Sequence, residues 1–181
     1  MGGSTAKAAS EFSRIVTLDR LGDRKVIERI EATVAERALV MGRLGLLSLD
    51  GLTADCRIGH GLSGLVTVEC EWVADLSQAC VVTLAPICQS LSGEFQVSYQ
   101  ALEGEGVVEN EVLVDPEADD PPEPLPREGI DLGELVVQEL AVSLDPYPRS
   151  EGAELPGRYR QSEGEGETNP FAALKVLKSK Q

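Results

Sequence analysis

Aromatic residues are scarce in this sequence. Phe, Trp and Tyr make up only 4 % of its 181 residues, so any core must be packed mainly from Leu, Val, Ile and Ala. Bases are scarce beside acids: 16 Lys and Arg stand against 31 Asp and Glu, a formal net charge of -15. Nucleic-acid binding relies on cations that neutralise phosphates, so this balance argues against a general nucleic-acid surface and favours basic partners. Histidine occurs once, at His60, and there is no Cys-x-x-Cys, so a zinc site lacks the close ligand pairs it usually has. No window approaches the ~18 consecutive apolar residues of a membrane span. The first ten residues lack an apolar stretch long enough for a secretory signal. Nucleophile elbows, phosphate loops and paired-histidine motifs are also missing. The expectation is therefore a non-enzymatic cytoplasmic protein without cofactor or metal. Its four cysteines, Cys56, Cys70, Cys80 and Cys88, are expected to be reduced thiols.

The hydrophobic patterning is informative where it is regular. Residues 1–10 read as a disordered leader. Glu11 to Asp19 alternates as a first strand would, and Lys25 to Ala32 fits either a strand or a helix start. Thr33 and Glu36 form a capping box, Ala35, Ala38, Leu39 and Gly42 follow at helical spacing, and Gly45 can stop the chain in a left-handed turn. A helix is predicted over 34–44. From residue 52 the period becomes two. Leu52, Ala54, Cys56 and Ile58 share one face, and Gly59-His60-Gly61 reads as a turn. Val66, Val68, Cys70, Trp72, Ala74 and Leu76 share the face of a long strand. Cys70 in this phase reads as a small core hydrophobe. Val81 to Leu84 reads as a third run stopped by Pro86, and Leu91, Gly93, Phe95, Val97 and Tyr99 as a fourth.

Residues 103–128 are dominated by Asp and Glu and close on a proline-rich run, a composition that keeps a chain extended. Val107-Val108 and Val112-Leu113-Val114 allow a short edge strand before its most acidic part. Asp131 then caps a second predicted helix, 131–144, with Leu132, Leu135, Val136, Leu140 and Leu144 as its stripe. Pro146 ends it. Residues 150–168 read as a flexible linker. In the last segment Asn169 caps, Pro170 suits the first helical position, and Phe171, Leu174 and Leu177 share a face. So short a helix needs something to dock on. The expected organisation is one α+β domain over 11–149 that includes the acidic loop, then the linker, then a helical motif at 169–181. Its fold is an antiparallel β-sheet (meander) packed by one or two helices, with an acidic disordered loop and a C-terminal docking tail.

Four features together carry a resemblance. Gly129-Ile130-Asp131-Leu132-Gly133-Glu134-Leu135 runs into Leu144-Asp145-Pro146-Tyr147-Pro148-Arg149, and Asn169-Pro170-Phe171-Ala172-Ala173-Leu174-Lys175 closes the chain. The acidic stretch lies between sheet and helix, and Glu36 to Gly45 precedes the sheet. Their order and spacing over roughly residues 12–178 resemble the YceD-type large ribosomal RNA subunit accumulation family, in its alphaproteobacterial branch. The resemblance implies a non-enzymatic ribosome-biogenesis factor. It would support accumulation of large-subunit ribosomal RNA by contacting a large-subunit precursor or a basic ribosomal protein. Many relatives carry a cysteine pair after the long strand. Here Ser77-Gln78-Ala79-Cys80 keeps only Cys80, which puts a metal role in doubt.

The candidate partner-binding residues are Asn169, Pro170, Phe171, Leu174, Lys175, Leu177 and Lys178. Their apolar face fits a helix-in-groove peptide, and the lysines reverse the sign of an acidic chain and could touch phosphates locally. Docking of this tail on its own domain is the alternative. A second functional reading is an acidic escort or regulator of a basic protein without ribosome contact. A thiol or metal enzyme would require Cys56, Cys70, Cys80, Cys88 and His60 to converge.

Overall fold

A computed structural model describes residues 10–17, 19, 25–60, 64–100 and 121–154. The elements are β1 (Ile15–Val16), β2 (Val26–Glu31), α1 (Val34–Leu44), β3 (Ser48–His60), β4 (Val66–Ala79), β5 (Pro86–Gln100), β6 (Glu123–Pro124), β7 (Ile130–Asp131) and α2 (Leu132–Ser143). Strands β2 to β6 form a five-stranded sheet in sequential order, and β1 pairs with β7. The architecture is α+β, as the patterning predicts.

The period of two builds the sheet's inner face. Leu52, Ala54, Cys56 and Ile58 on β3 and Val66, Val68, Cys70, Trp72, Ala74 and Leu76 on β4 are all buried. Leu132, Val136, Val137 and Leu140 of α2 have no exposed surface, and α2 packs against β4 and β5. Both helix starts follow the sequence. Thr33 and Glu36 form the reciprocal capping box, Gly45 ends α1 in the left-handed region at φ 66°, and Asp131 accepts from Gly133 N and Glu134 N.

Several expectations are corrected. The first strand shrinks from Glu11–Asp19 to Ile15–Val16, because its only partner among the described residues is the two-residue β7. The ambiguous run before α1 is a strand, since β3 supplies its ladder from Val26↔Ile58 to Glu31↔Thr53. Ala35, Ala38, Leu39 and Gly42 face solvent, and it is Val40, with Met41 and Leu44, that meets the core. Gly59 and His60 are the last rungs of β3, paired with Thr67 and Val66, and not a turn. Val81–Leu84 is not a strand but the β4–β5 hairpin turn. It is closed by Cys80 N donating to Ala85 O and Leu84 N donating to Cys80 O, with Leu84 at φ 61°. Pro86 therefore begins a strand, where its missing N–H is tolerated. The described end of the acidic stretch is held in the sheet: β6 pairs parallel with β5, and Leu125 N donates to Gln100 O at 2.9 Å. The predicted edge strand near 107–114 lies outside the described residues, as do most of the leader and of the linker.

The cysteines differ most from expectation. Cys56 and Cys70 form a disulfide, where reduced thiols are expected. The reason is register. The two residues are direct partners across β3 and β4, with Cα atoms 4.1 Å apart. That is the close spacing of a non-hydrogen-bonded antiparallel pair, whose side chains meet.

Residues 10–16 form a strap that ties both helices together. Phe12 is fully buried and Val16 nearly so. Arg14 N and Ser13 Oγ donate to the two oxygens of Asp131 at 2.8 and 2.7 Å, and Leu132 N donates to Arg14 O. The Arg14 guanidinium lies over the Phe12 ring and forms an ion pair with Glu36 at 2.7 Å. Arg43 of α1 reaches Glu11 at 3.1 Å and Glu134 of α2 at 3.0 Å.

Candidate functional site

Two surfaces stand out among the described residues: the outer face of the sheet and the end of the sheet at the β4–β5 hairpin. The outer face follows from the same alternation that builds the core. The residues out of phase with the buried set are Thr53, Asp55 and Arg57 on β3, Glu69, Glu71, Val73 and Asp75 on β4, and Ser90, Ser92, Glu94 and Gln96 on β5. Register aligns them in rows: Asp55, Glu71 and Glu94 form one, and Arg57, Glu69 and Gln96 the next.

Two arginines temper this acidic face. Arg57 meets Glu71 at 2.9 Å, and Arg29 on β2 stands 3.9 Å from Asp55. The hydrogen bond to Glu71, with the surrounding carboxylates, raises the Arg57 pKa further. Glu69, Asp75 and Glu94 form no ion pair among the described residues. A shallow depression of about 400 Å³ crosses the face between Thr53, Asp55, Glu71, Val73, Ser92 and Glu94. It is open and lined by polar and apolar surface in about equal measure, which suits an extended chain better than an enclosed small molecule.

At the other surface the hairpin meets the turn that follows α2. Val81 N donates to Pro148 O at 2.8 Å, and Gln78 Nε2 donates to Asp145 O at 3.1 Å. Ser150 donates through both its N–H and its hydroxyl to Cys80 Sγ, each at 3.4 Å. The Ser150 hydroxyl, its N–H and Thr83 together pull the Cys80 thiol down to about 6. Cys80 has no exposed surface, so the contact is an anchor and not an accessible nucleophile. It fixes the Asp145–Arg149 turn on the sheet. Arg149 continues the anchorage by donating to Ala153 O. Val81, Leu84 and Tyr147 remain more than half exposed around this junction.

The thiol and imidazole candidates are spread over the sheet. Cys56 and Cys70 are joined in the core, Cys80 lies under Ser150, and Cys88 is exposed on β5. His60 ends β3 opposite Val66, at the far end of β4 from Cys80. At ~3.3 Å per residue the length of β4 separates them by roughly 40 Å. The structure does not bring these five side chains together. Asn169, Pro170, Phe171, Leu174, Lys175, Leu177 and Lys178 lie outside the described residues. Sequence reasoning missed the Cys80–Ser150 anchor, because no spacing rule links two residues 70 apart. It also missed the alignment of carboxylates across the sheet, which requires the register.

The described residues thus form an acidic α+β module whose outer sheet face is open. The family model described as Large ribosomal RNA subunit accumulation protein YceD matches residues 68–178, more than half of the chain, and the chain belongs to that family. The match begins inside β4 and takes in β5, α2 and the motif at 169–178. No curated protein matches significantly, and no solved structure does.

Proposed function

We propose that this protein is a non-enzymatic, cytoplasmic ribosome-biogenesis factor. It supports accumulation of large-subunit ribosomal RNA by contacting a large-subunit precursor or one of its basic proteins. Membership of the family over residues 68–178 carries the reading. The contact is assigned to Asn169, Pro170, Phe171, Leu174, Lys175, Leu177 and Lys178, where an apolar face and lysines combine in an otherwise acidic chain. Direct nucleic-acid contact is confined to these lysines, because a net charge of -15 repels phosphate elsewhere.

The test is sucrose-gradient sedimentation of lysate carrying either the intact protein or a Phe171→Ala/Leu174→Ala/Leu177→Ala variant. Co-migration of the intact protein alone with large-subunit precursors is the expected result. If both remain at the top of the gradient, stable ribosome binding is rejected. The runner-up is an escort of a free basic protein, which the carboxylate rows of the outer sheet face favour. Pull-down of a basic protein from ribosome-depleted extract separates the two.

A further inference from the structure

Strand β5 is paired with β4 along its whole length, from Pro86↔Ala79 to Tyr99↔Val66, without a register shift. On its other side, among the described residues, only Tyr99 and Gln100 are paired, with Glu123 and Pro124 of β6. Pro86 to Ser98 is therefore an open sheet edge among the described residues. The phase of that edge is fixed by one hydrogen bond. Leu125 N donates to Gln100 O, so the Gln100 carbonyl points away from β4. Alternation then aims the N–H and C=O of Cys88, Ser90, Ser92, Glu94, Gln96 and Ser98 at the open side.

Unpaired edges are usually blunted by charges, prolines or bulges. The opposite edge of the sheet is blunted: β2 is short and reads Val-Ile-Glu-Arg-Ile-Glu. Beyond Pro86, β5 has none of these devices except one charge, Glu94. Its inner-face side chains Leu91, Phe95 and Val97 are only partly buried, so an added strand would cover apolar surface as well as backbone. On the outer face, an added strand would stand beside Glu94, with Glu71 and Asp55 further along the same row, Glu69 in the next row and Asp75 two rows away on the other side.

We propose that the β5 edge from Cys88 to Ser98 accepts a basic, extended peptide segment as an additional strand. The segment's Lys or Arg side chains would lie in the phase of the outer face and its apolar side chains in the phase of Leu91, Phe95 and Val97. Charge selects this occupant over the others. Residues 101–120 carry eight acids and no base, and a second copy brings a net charge of -15, so both would meet the acidic face with like charge. Backbone pairing at a sheet edge is a known recognition mode, with alternate side chains setting specificity. The proposal rests on the reading that the protein works by holding a basic partner, and it gives that partner a surface separate from the 169–178 motif.

The probe is a synthetic strand of about nine residues alternating Lys and Val, N-methylated along its far edge so that it cannot stack on itself. Amide hydrogen exchange is followed on the full chain. In the free protein the amides of Ser90, Ser92, Glu94, Gln96 and Ser98 exchange fast, while the β4-facing amides of β5 are protected. Saturating peptide slows the first set at least about tenfold and leaves the second set unchanged. A Glu/Val peptide of equal length has no effect. Ser92→Pro removes an edge-facing N–H without breaking a bond to β4, and weakens binding about tenfold or more. Glu94→Lys keeps every backbone group and weakens binding about fivefold. Protection of the edge amides already present in the free chain, independent of concentration, would assign the edge to residues 101–120 and overturn the proposal. Protection that rises with protein concentration would assign it to a second copy and do the same. No response to near-millimolar peptide would also overturn it. The Phe171→Ala/Leu174→Ala/Leu177→Ala chain is titrated in parallel. If it takes the peptide normally yet fails in the gradient, the two contacts are independent. If only the edge variants lose the peptide while gradients are unchanged, the edge serves a separate partner.

Discussion

Gly133→Ala should destabilise this protein, although alanine is the better helix former. Gly133 lies in the first turn of α2, directly beneath the N-terminal strap. A Cβ built there would stand 2.4 Å from Phe12 O, 2.8 Å from Phe12 C and 3.1 Å from Ser13 N. All three atoms are backbone, so no side-chain rotation relieves the contact and the strap itself must shift. Helix propensity favours the alanine by at most ~1 kcal/mol. Against it stand the overpacking cost of ~1–3 kcal/mol and the strap hydrogen bonds at Asp131 and Leu132, worth about 1 kcal/mol each. Complete release of Phe12 from the core would cost ~3–5 kcal/mol and sets the upper bound. A net loss of about 2–3 kcal/mol is expected, read as a lower urea midpoint at unchanged slope. In a cycle with Phe12→Ala the two losses should fall short of additive, because both loosen the same strap. Unchanged or increased stability in Gly133→Ala would mean that α2 does not sit under the strap, and the packing described for residues 10–16 would be wrong.

Three further perturbations are informative. Hydrogen bonds from Arg14 and the Thr33 backbone hold the Glu36 carboxyl at about 2, below its usual range. A depressed carboxylate stabilises the fold above its unfolded pKa and loses that contribution as pH falls. Stability should therefore decline between about pH 4.5 and 2, by about 1 kcal/mol after solvent screening, and Glu36→Gln should flatten that part of the profile. Thiol titration of the unfolded, unreduced protein should count two free cysteines, Cys80 and Cys88. Reduction should lower stability by about 3 kcal/mol, as expected for a loop closed over 14 residues, and Cys56→Ala should abolish the response. Gly93 faces the buried Trp72 across the strands, and a Cβ there would meet the indole at 2.9 Å. Gly93→Ala should shift the fluorescence of this single tryptophan to longer wavelength and cost about 1–3 kcal/mol.

The helices and the inner face of the sheet were legible because each rests on local chemistry. Thr33, Glu36 and Gly45 bound α1 by capping, and Asp131 starts α2 by the same rule. The alternation from Val66 to Leu76 places each of its six inner-face residues correctly. Readings failed where a distant partner decides the outcome. Val81–Leu84 has strand-like composition, but the pairing of Ala79 with Pro86 leaves it as the turn. The small-residue stripe of α1 looks like a packing face, yet the core meets α1 through Val40 on another side. The disulfide was invisible because only register sets Cys56 opposite Cys70. Of the candidate contacts, the terminal motif was readable as an apolar face beside lysines, whereas the β5 edge is a property of topology and leaves no local pattern.

The strap also sets an order of events at the ribosome that makes the protein. Ser13 and its acceptor Asp131 are separated by 118 residues. Strands β2 to β5 and helix α1 can assemble by pairing neighbours as they emerge, but the site that receives Phe12 does not exist until α2 has been synthesised. At ~5–20 residues per second the interval is roughly 6–24 s, during which Phe12 and Val16 stay uncovered on the nascent chain. Closure of the strap therefore reports on completeness. A chain that stops before α2 keeps an apolar N-terminus for chaperones and proteases to find, while one that has passed Ser143 can hide it.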